Sequence, residues 1–199
     1  MYKTERLYGK MDIPTYLEEY VCVEEFLEYC KACDSYEKIW SCPEYDFDVL
    51  DYWNQFDFIH IIGNKITFDD ELVELARTPE ELASFMDQVL GREKQALAEI
   101  LYEAEARYPG SISLSAGSCH LCDICEKVVG RTCKYPDKMR YSMESLGANV
   151  GKTCSKLLRV ELLWSSEDKL PKYFVLISAL LANDAEVNFK PHIDGMESK

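Results

Sequence analysis

The stretch FDFIHIIGNKITF, residues 56–68, decides how the chain is expected to fold. It is rich in aromatic and β-branched residues, which are enriched in strands, and so it predicts β structure. Gly63 and Asn64 near its centre predict a turn. A second run, YFVLISALLA at residues 173–182, predicts a strand buried on both faces. Shorter strands are expected over SISLS (111–115) and RVELLW (159–164).

Helices are expected on both sides of this first stretch. Apolar side chains recur three or four residues apart over residues 13–33, which is the period of an amphipathic helix. Thr78, Pro79 and Glu81 form an N-terminal capping signature, and Pro109 with Gly110 ends this longest predicted helix. One or two short helices are expected over residues 141–154, and a loose polar tail is expected after residue 183.

These elements predict an α+β fold in a single domain spanning residues 1–199. We expect a small mixed or antiparallel sheet, packed by helices and carrying cysteine-rich metal-binding loops. The cysteine groups lie at predicted element ends, at residues 30–42 and 119–133.

The charge balance excludes some classes of function. The chain has 36 acidic and 22 basic residues and a formal net charge of -14, which repels nucleic-acid backbones. No apolar run approaches the roughly 20 residues that span a bilayer, so no membrane insertion is expected. The first residues contain no apolar secretory core, which predicts a cytoplasmic protein. An acidic surface suits docking to a basic redox partner protein.

Seven of the nine cysteines fall into the two groups. In a reducing cytosol, clustered cysteines are typical of metal ligands rather than of disulfides. The first group has the spacing C-x2-C-x8-C-P and the second has C-x2-C-x2-C-x7-C. Cys22 and Cys154 are, with Cys133, candidates for the fourth ligand of the first group, although a lone cysteine is more typical of a buried core residue. The predicted metal ligands are Cys30, Cys33, Cys42, Cys119, Cys122, Cys125 and Cys133.

The kind of metal follows from the second group. A C-x2-C-x2-C triplet is typical of cubane iron–sulfur clusters, so we expect one or two 4Fe-4S clusters. Structural zinc is the alternative, because four thiolates complete its tetrahedron. The spacing leaves Cys133 open. It could close the site of the triplet, or it could complete the N-terminal group, which is one ligand short.

Residues that flank the cysteines are candidates for the surroundings of a cluster. Tyr36, Trp40 and Tyr135 are expected to shield the centre from water. Arg140 and Ser142 are candidates for contacts to the cluster or to an anionic ligand at a helix N-terminus. The competing interpretation makes Ser142 a helix cap and Arg140 a partner in a surface salt bridge.

The motifs together are similar to an uncharacterised prokaryotic family whose members are labelled predicted metal-binding proteins. The resemblance extends from about Cys30 to LISALL at 176–181, and it implies metal binding without implying a reaction. The family often has a second proline after C-P, where this chain has Glu44. The pattern falls on Cys30, Cys33, Trp40, Cys42, Pro43, Cys119, Cys122, Cys125, Cys133, Pro136, Ser142, Glu144 and Gly147.

Three functions are compatible with this pattern. The first is a cytosolic iron–sulfur protein that exchanges electrons with a partner protein. The second is a zinc-stabilised binding or scaffold module. The third is an enzyme in which an open iron site near Arg140 and Tyr36 binds a small substrate. The sequence contains no P-loop and no dinucleotide glycine fingerprint, so it predicts no catalytic residue.

Overall fold

The computed structural model describes residues 2–75, 78–165 and 169–189. One open antiparallel sheet organises these residues, with strands in the order β1-β2-β4-β3. The strands are β1 (Tyr2–Asp12), β2 (Phe58–Phe68), β3 (Ile112–Leu114) and β4 (Tyr173–Ala182). The two central strands pair along their whole length, from Phe58 opposite Ala182 to Thr67 opposite Tyr173. The predicted α+β class is therefore confirmed, and the sheet is antiparallel rather than mixed.

Helices cover both faces of this sheet. They are α1 (Ile13–Tyr20), α2 (Val23–Lys31), α3 (Val49–Trp53), α4 (Asp70–Glu74), α5 (Pro79–Arg107) and α6 (Val150–Thr153), with short 3-10 turns at Glu126–Val129 and Glu144–Leu146 and a π turn at Cys154–Leu158. The predicted capping box begins α5, because Thr78 Oγ1 accepts the Glu81 N–H at 3.2 Å and the Thr78 N–H donates to Glu81 Oε2 at 2.9 Å. Within the described residues, no helix is long and apolar enough to cross a membrane.

The sheet separates two hydrophobic cores. On β4, Ile177 and Leu181 face a core built with α1, α3 and α6, whereas Leu176 and Leu180 face α5. Trp53 is fully buried in the first core, where its indole N–H donates to the Leu146 carbonyl at 2.9 Å. The prediction that β4 is buried on both faces is confirmed.

The turn predicted at Gly63 and Asn64 is wrong, because both residues continue β2. A Cβ on Gly63 would lie 2.7 Å from Leu158 Cδ1, so the missing side chain at Gly63 leaves room for Leu158 of the π turn. Asn64 is buried and donates to Glu93 Oε2 of α5 at 2.8 Å. The contacts with Leu158 and Glu93 therefore explain why glycine and asparagine occur here inside a strand, where the chain does not turn.

The single helix predicted over residues 13–33 is wrong, because the chain forms α1 and α2 with a break at Val21 and Cys22. Val21 forms an antiparallel bridge with Ala148. The Cys22 N–H donates to the Gly147 carbonyl at 2.9 Å, which replaces the helical hydrogen bond. A distant segment therefore interrupts a locally helical pattern.

Other predictions also needed correction. RVELLW forms no strand over residues 159–164: the left-handed Arg159 (φ 56°) ends the π turn, and Val160 and Leu162 pack against the first core without strand pairing. The charged segment Tyr2–Asp12, for which no strand was predicted, forms the edge strand β1. The tail is packed as far as Phe189, whose ring stacks on Tyr8 with centroids 6.1 Å apart.

Gly147 determines how closely α2 approaches the rest of the protein. It has φ +83°, and a Cβ there would lie 2.8 Å from Val23 Cα. Gly147→Ala is expected to lower the free energy of unfolding by about 3 kcal/mol, because left-handed strain and overpacking add. Gly110→Ala is the matched control, since Gly110 has φ +88° but a Cβ there would meet no atom within 4 Å. We expect this variant to lower the free energy of unfolding by about 1 kcal/mol. Urea unfolding measures both; equal losses would contradict the close approach.

Candidate metal centre

The N-terminal cysteine group begins at the end of α2. Cys30 lies in the last turn of the helix, and the Cys33 N–H donates to the Cys30 carbonyl at 3.0 Å. The loop closes where the Glu37 N–H donates to the Pro43 carbonyl at 2.9 Å. Burial raises the pKa of Cys42 to about 11; a hydrogen bond with Ser41 opposes this rise, and the neighbouring thiols of Cys33 and Cys30 add to it. The three thiols are therefore close enough to interact.

The second cysteine group follows β3, and its long gap is a closed turn. Cys125 precedes the 3-10 turn Glu126–Val129, and the left-handed Gly130 reverses the chain. The Arg131 N–H then donates to the Glu126 carbonyl at 2.9 Å. This turn brings the chain back toward the triplet at Cys133.

Cys133 lies with the triplet. Burial raises the pKa of Cys119, and the thiols of Cys133, Cys122 and Cys125 raise it further against a hydrogen bond from the Leu121 backbone. All four of these cysteines line one cleft. The loop therefore places Cys133 in the same cleft as the triplet, and its role as a ligand there stays a prediction.

The two cysteine loops are docked on each other. Ser41 Oγ accepts the Cys119 N–H at 3.0 Å, and the Trp40 indole N–H donates to the Arg131 carbonyl at 3.0 Å. Lys127 donates to the Cys42 carbonyl at 3.3 Å, and its ammonium lies 5.4 Å from the centroid of the Trp40 ring. The two groups consequently form neighbouring sites in one unit.

Sequence reasoning missed Ser41 and Lys127. Both residues lie within the cysteine segments, but neither has a spacing or residue type that marks a metal site. Their hydrogen bonds join segments 78 and 85 residues apart. Only the tertiary structure brings these partners together.

The cleft of the second group encloses about 340 Å³ of space outside the protein atoms, part of it open to solvent. All nine cysteines are free thiols, so the donors are available to a metal. Within the described residues, no three His, Cys, Asp or Glu side chains converge closely enough to hold one metal ion. The four cysteines of the second group nevertheless line one cleft. This soft donor set fits a thiolate-bound metal group.

The aromatic candidates lie beside the cysteines. Trp40 and Tyr135 line the cleft. Tyr36 lies in the N-terminal loop, where its hydroxyl donates to Glu44 Oε1 at 3.1 Å. Glu44 is the residue that stands where the family often has proline, and here it anchors this tyrosine.

Arg140 and Ser142 lie away from the cleft. Arg140 forms a two-pronged ion pair with Glu105, with hydrogen bonds of 2.7 and 2.5 Å, and the two side chains are only 13% and 15% exposed. Ser142 is buried, and its Oγ accepts the Ser145 N–H at 3.1 Å, as a cap does. Tyr36 and Arg140 bond to different partners, Glu44 and Glu105.

The two remaining cysteines differ from each other. Cys154 is buried in the first core, and burial raises its pKa to about 12, as expected for a core residue. Cys22 is exposed at the start of α2, so its predicted burial is wrong. The break between α1 and α2 puts Cys22 at a helix end instead of on an inward face.

Residues 16–181 match the model of a protein family described as predicted metal-binding protein (DUF2284). The chain belongs to this family. The DUF2284 match spans both cysteine groups and confirms the resemblance that the motifs indicated. No curated protein and no solved structure matches the chain. Membership of DUF2284 supports metal binding and specifies no metal.

Proposed function

We propose that this chain is a cytoplasmic 4Fe-4S protein that exchanges electrons with a redox partner protein. Cys119, Cys122, Cys125 and Cys133 hold the firmer cluster. One observation carries the proposal: four free thiols, three of them with the C-x2-C-x2-C spacing that is typical of cubane ligands, line one cleft.

The surface around these cysteines supports a partner. Large apolar side chains of the same loop are exposed: Leu121 at 36%, Ile124 at 72%, Val128 at 58%, Val129 at 60% and Tyr135 at 39%. Exposed apolar patches of this kind mark interaction surfaces. Because the ligands and the patch share one short loop, a partner that docks here comes close to the cluster. We call these five residues the apolar rim.

The N-terminal group is proposed to hold a second cluster with an open or borrowed fourth position. Cys22 does not fill that position, because it lies eight residues before Cys30 across α2, which is about 12 Å along a helix. Cys133 does not fill it either, since it lies with the triplet. The exposed side of Cys33 leaves this site accessible from solvent.

The direct test is anaerobic purification of the full chain, followed by iron and acid-labile sulfide analysis. We expect a coloured protein with equal amounts of iron and sulfide. A colourless protein with stoichiometric zinc and no labile sulfide would contradict the proposal and favour the zinc-stabilised module. In that case chelation should lower the melting temperature without a change in visible absorbance.

The apolar rim makes a separate prediction. The double variant Ile124→Asp/Val128→Asp is expected to slow electron exchange with a ferredoxin, used as a protein probe, by about tenfold. The reason is that docking would have to remove water from two new carboxylates, which costs binding free energy. Reduction by methyl viologen, which needs no docking surface, should be unchanged. Leu50→Asp/Trp164→Asp is the control, since these residues are 45% and 80% exposed outside the rim. Stopped-flow absorbance measures the rates, and equal slowing by both pairs would argue against docking at the rim.

A further inference from the structure

A second pocket lies next to Cys119, between α5 and the edge of the sheet formed by β3 and β4. It encloses about 460 Å³ of space outside the protein atoms, part of it open to solvent. Cys119 lines both this pocket and the cleft of the four cysteines. The pocket uses none of the other cysteines, so it is distinct from the proposed cluster site.

Three serines lie together in the wall of this pocket. Ser178 of β4 alternates with Leu176 and Leu180, so it belongs to the sheet face that α5 covers. Ser113 pairs with Leu180 across the strands, and Ser115 follows two residues later. Ser113 Oγ donates to Glu105 Oε1 at 2.5 Å and Ser115 Oγ donates to the Gly117 carbonyl at 2.8 Å, so both of these hydroxyl protons are already used. Ser178 borders the same space on the face that α5 covers.

Lys94 of α5 supplies a positive charge to the same space. A Cβ on Gly117 would lie 3.4 Å from Lys94 Nζ, so the ammonium stands beside the backbone that leads to Cys119. Burial lowers the pKa of Lys94, while Glu144 and Asp87 oppose this effect only through their charge, without a hydrogen bond. Among the residues that the structure describes, no carboxylate forms an ion pair with Lys94.

The other basic groups of the pocket are arranged differently. Arg140 is neutralised by its ion pair with Glu105. Lys138 is exposed at the mouth, and its carbonyl accepts the Tyr102 hydroxyl at 2.6 Å. The lining also includes the apolar side chains of Ala98, Leu101 and Ala116. Among the described residues, the pocket therefore combines an inner cation that forms no direct ion pair, the Ser178 hydroxyl and an aliphatic wall.

We propose that this pocket binds a small monocarboxylate with a short aliphatic chain. The carboxylate lies on the Lys94 ammonium and the Ser178 hydroxyl, and the chain packs against Ala98 and Leu101. A monoanion matches the single inner cation. A phosphate dianion would leave excess negative charge in a half-buried site beside four thiolates, which is costly. The inference goes beyond the proposed electron transfer and does not depend on which metal the cysteines hold.

Calorimetric titration of the full-length protein with acetate, propionate and butyrate tests this inference, with inorganic phosphate as the comparison. We expect a short carboxylate to bind and phosphate to bind at least tenfold more weakly. Lys94→Met should weaken carboxylate binding at least tenfold. Lys156→Met, which removes an exposed lysine outside the pocket, should leave binding unchanged.

A pocket-filling variant keeps the test decisive if Lys94→Met misfolds. Ala98→Leu retains the charge but occupies the aliphatic wall, and it should abolish binding. Failure of the wild-type protein to bind any of the three carboxylates would overturn the inference, and so would tighter binding of phosphate or full binding by folded Lys94→Met. Iron, sulfide and zinc are assayed in the same samples. Absent iron with intact carboxylate binding would count against the proposed cluster alone.

Discussion

Replacing Cys133 by alanine is expected to empty the metal site that it shares with Cys119, Cys122 and Cys125. Three thiolates would remain around a cleft that the loop shapes for four, and the site should keep less than about a tenth of its metal after desalting. The variant is best made in the background Cys30→Ala/Cys33→Ala, which removes the neighbouring site. Metal and labile sulfide per chain then report the loop site alone.

Cys154→Ala is the control for this experiment. Cys154 is buried in the core, so its loss should lower stability by about 1 kcal/mol and leave the metal content unchanged. If Cys133→Ala retained full metal in the background without Cys30 and Cys33, Cys133 would not be a ligand of the triplet. That result would reopen the assignment that the closed turn at Gly130 supports.

Glu105→Gln is expected to cause the largest loss of stability among charge-neutralising substitutions. It leaves the guanidinium of Arg140 largely buried without its counter-charge, and breaking such a pair lowers the free energy of unfolding by about 3 to 5 kcal/mol. Urea unfolding at neutral pH measures the change. Glu28→Gln is the control, since its ion pair with Lys31 is 70% and 44% exposed and contributes below about 1 kcal/mol.

The same ion pair predicts a pH dependence. Burial alone would raise the pKa of Glu105, but hydrogen bonds from Arg140 and Ser113 outweigh burial and hold the pKa below its ordinary value of 4.5. A carboxyl with a lowered folded pKa stabilises the protein above its unfolded pKa and loses that contribution as pH falls through the folded pKa. The stability gap between wild type and Glu105→Gln should therefore shrink below about pH 4.5. A gap that is independent of pH would contradict the ion pair.

The parts of the fold that were predicted correctly depend on local chemistry. The cap of α5 lies in four consecutive residues, and β4 is an apolar run interrupted only by Ser178. Two of the errors have a distant cause. Gly63 looks like a turn until Leu158 packs on it, and the helix over residues 13–33 breaks because Ala148 pairs with Val21. The edge strand β1 contains several charged residues, and they obscure the alternation of polar and apolar side chains that would predict a strand.

In the candidate site, too, some features follow from the local sequence and others depend on contacts between distant residues. The spacing of the cysteines predicted two groups, and the family match agrees that the chain binds metal. The position of Cys133 depends on a 3-10 turn and a left-handed glycine, which spacing alone does not specify. The docking of the loops depends on Ser41 and Lys127, whose partners lie far along the chain. The pocket at Lys94 needs α5 and the sheet together.

The pairing of β3 has a consequence for how the protein matures. Within the described residues, β3 immediately precedes the loop of Cys119 and pairs only with β4. On the ribosome, Cys133 is synthesised 40 residues before Tyr173, the first residue of β4 (173 minus 133). All seven clustered thiols are therefore made while the strand that anchors the second loop does not yet exist. Metal insertion is consequently expected after translation, and a chain that stops short of β4 would present reactive thiols to the cell without a finished site.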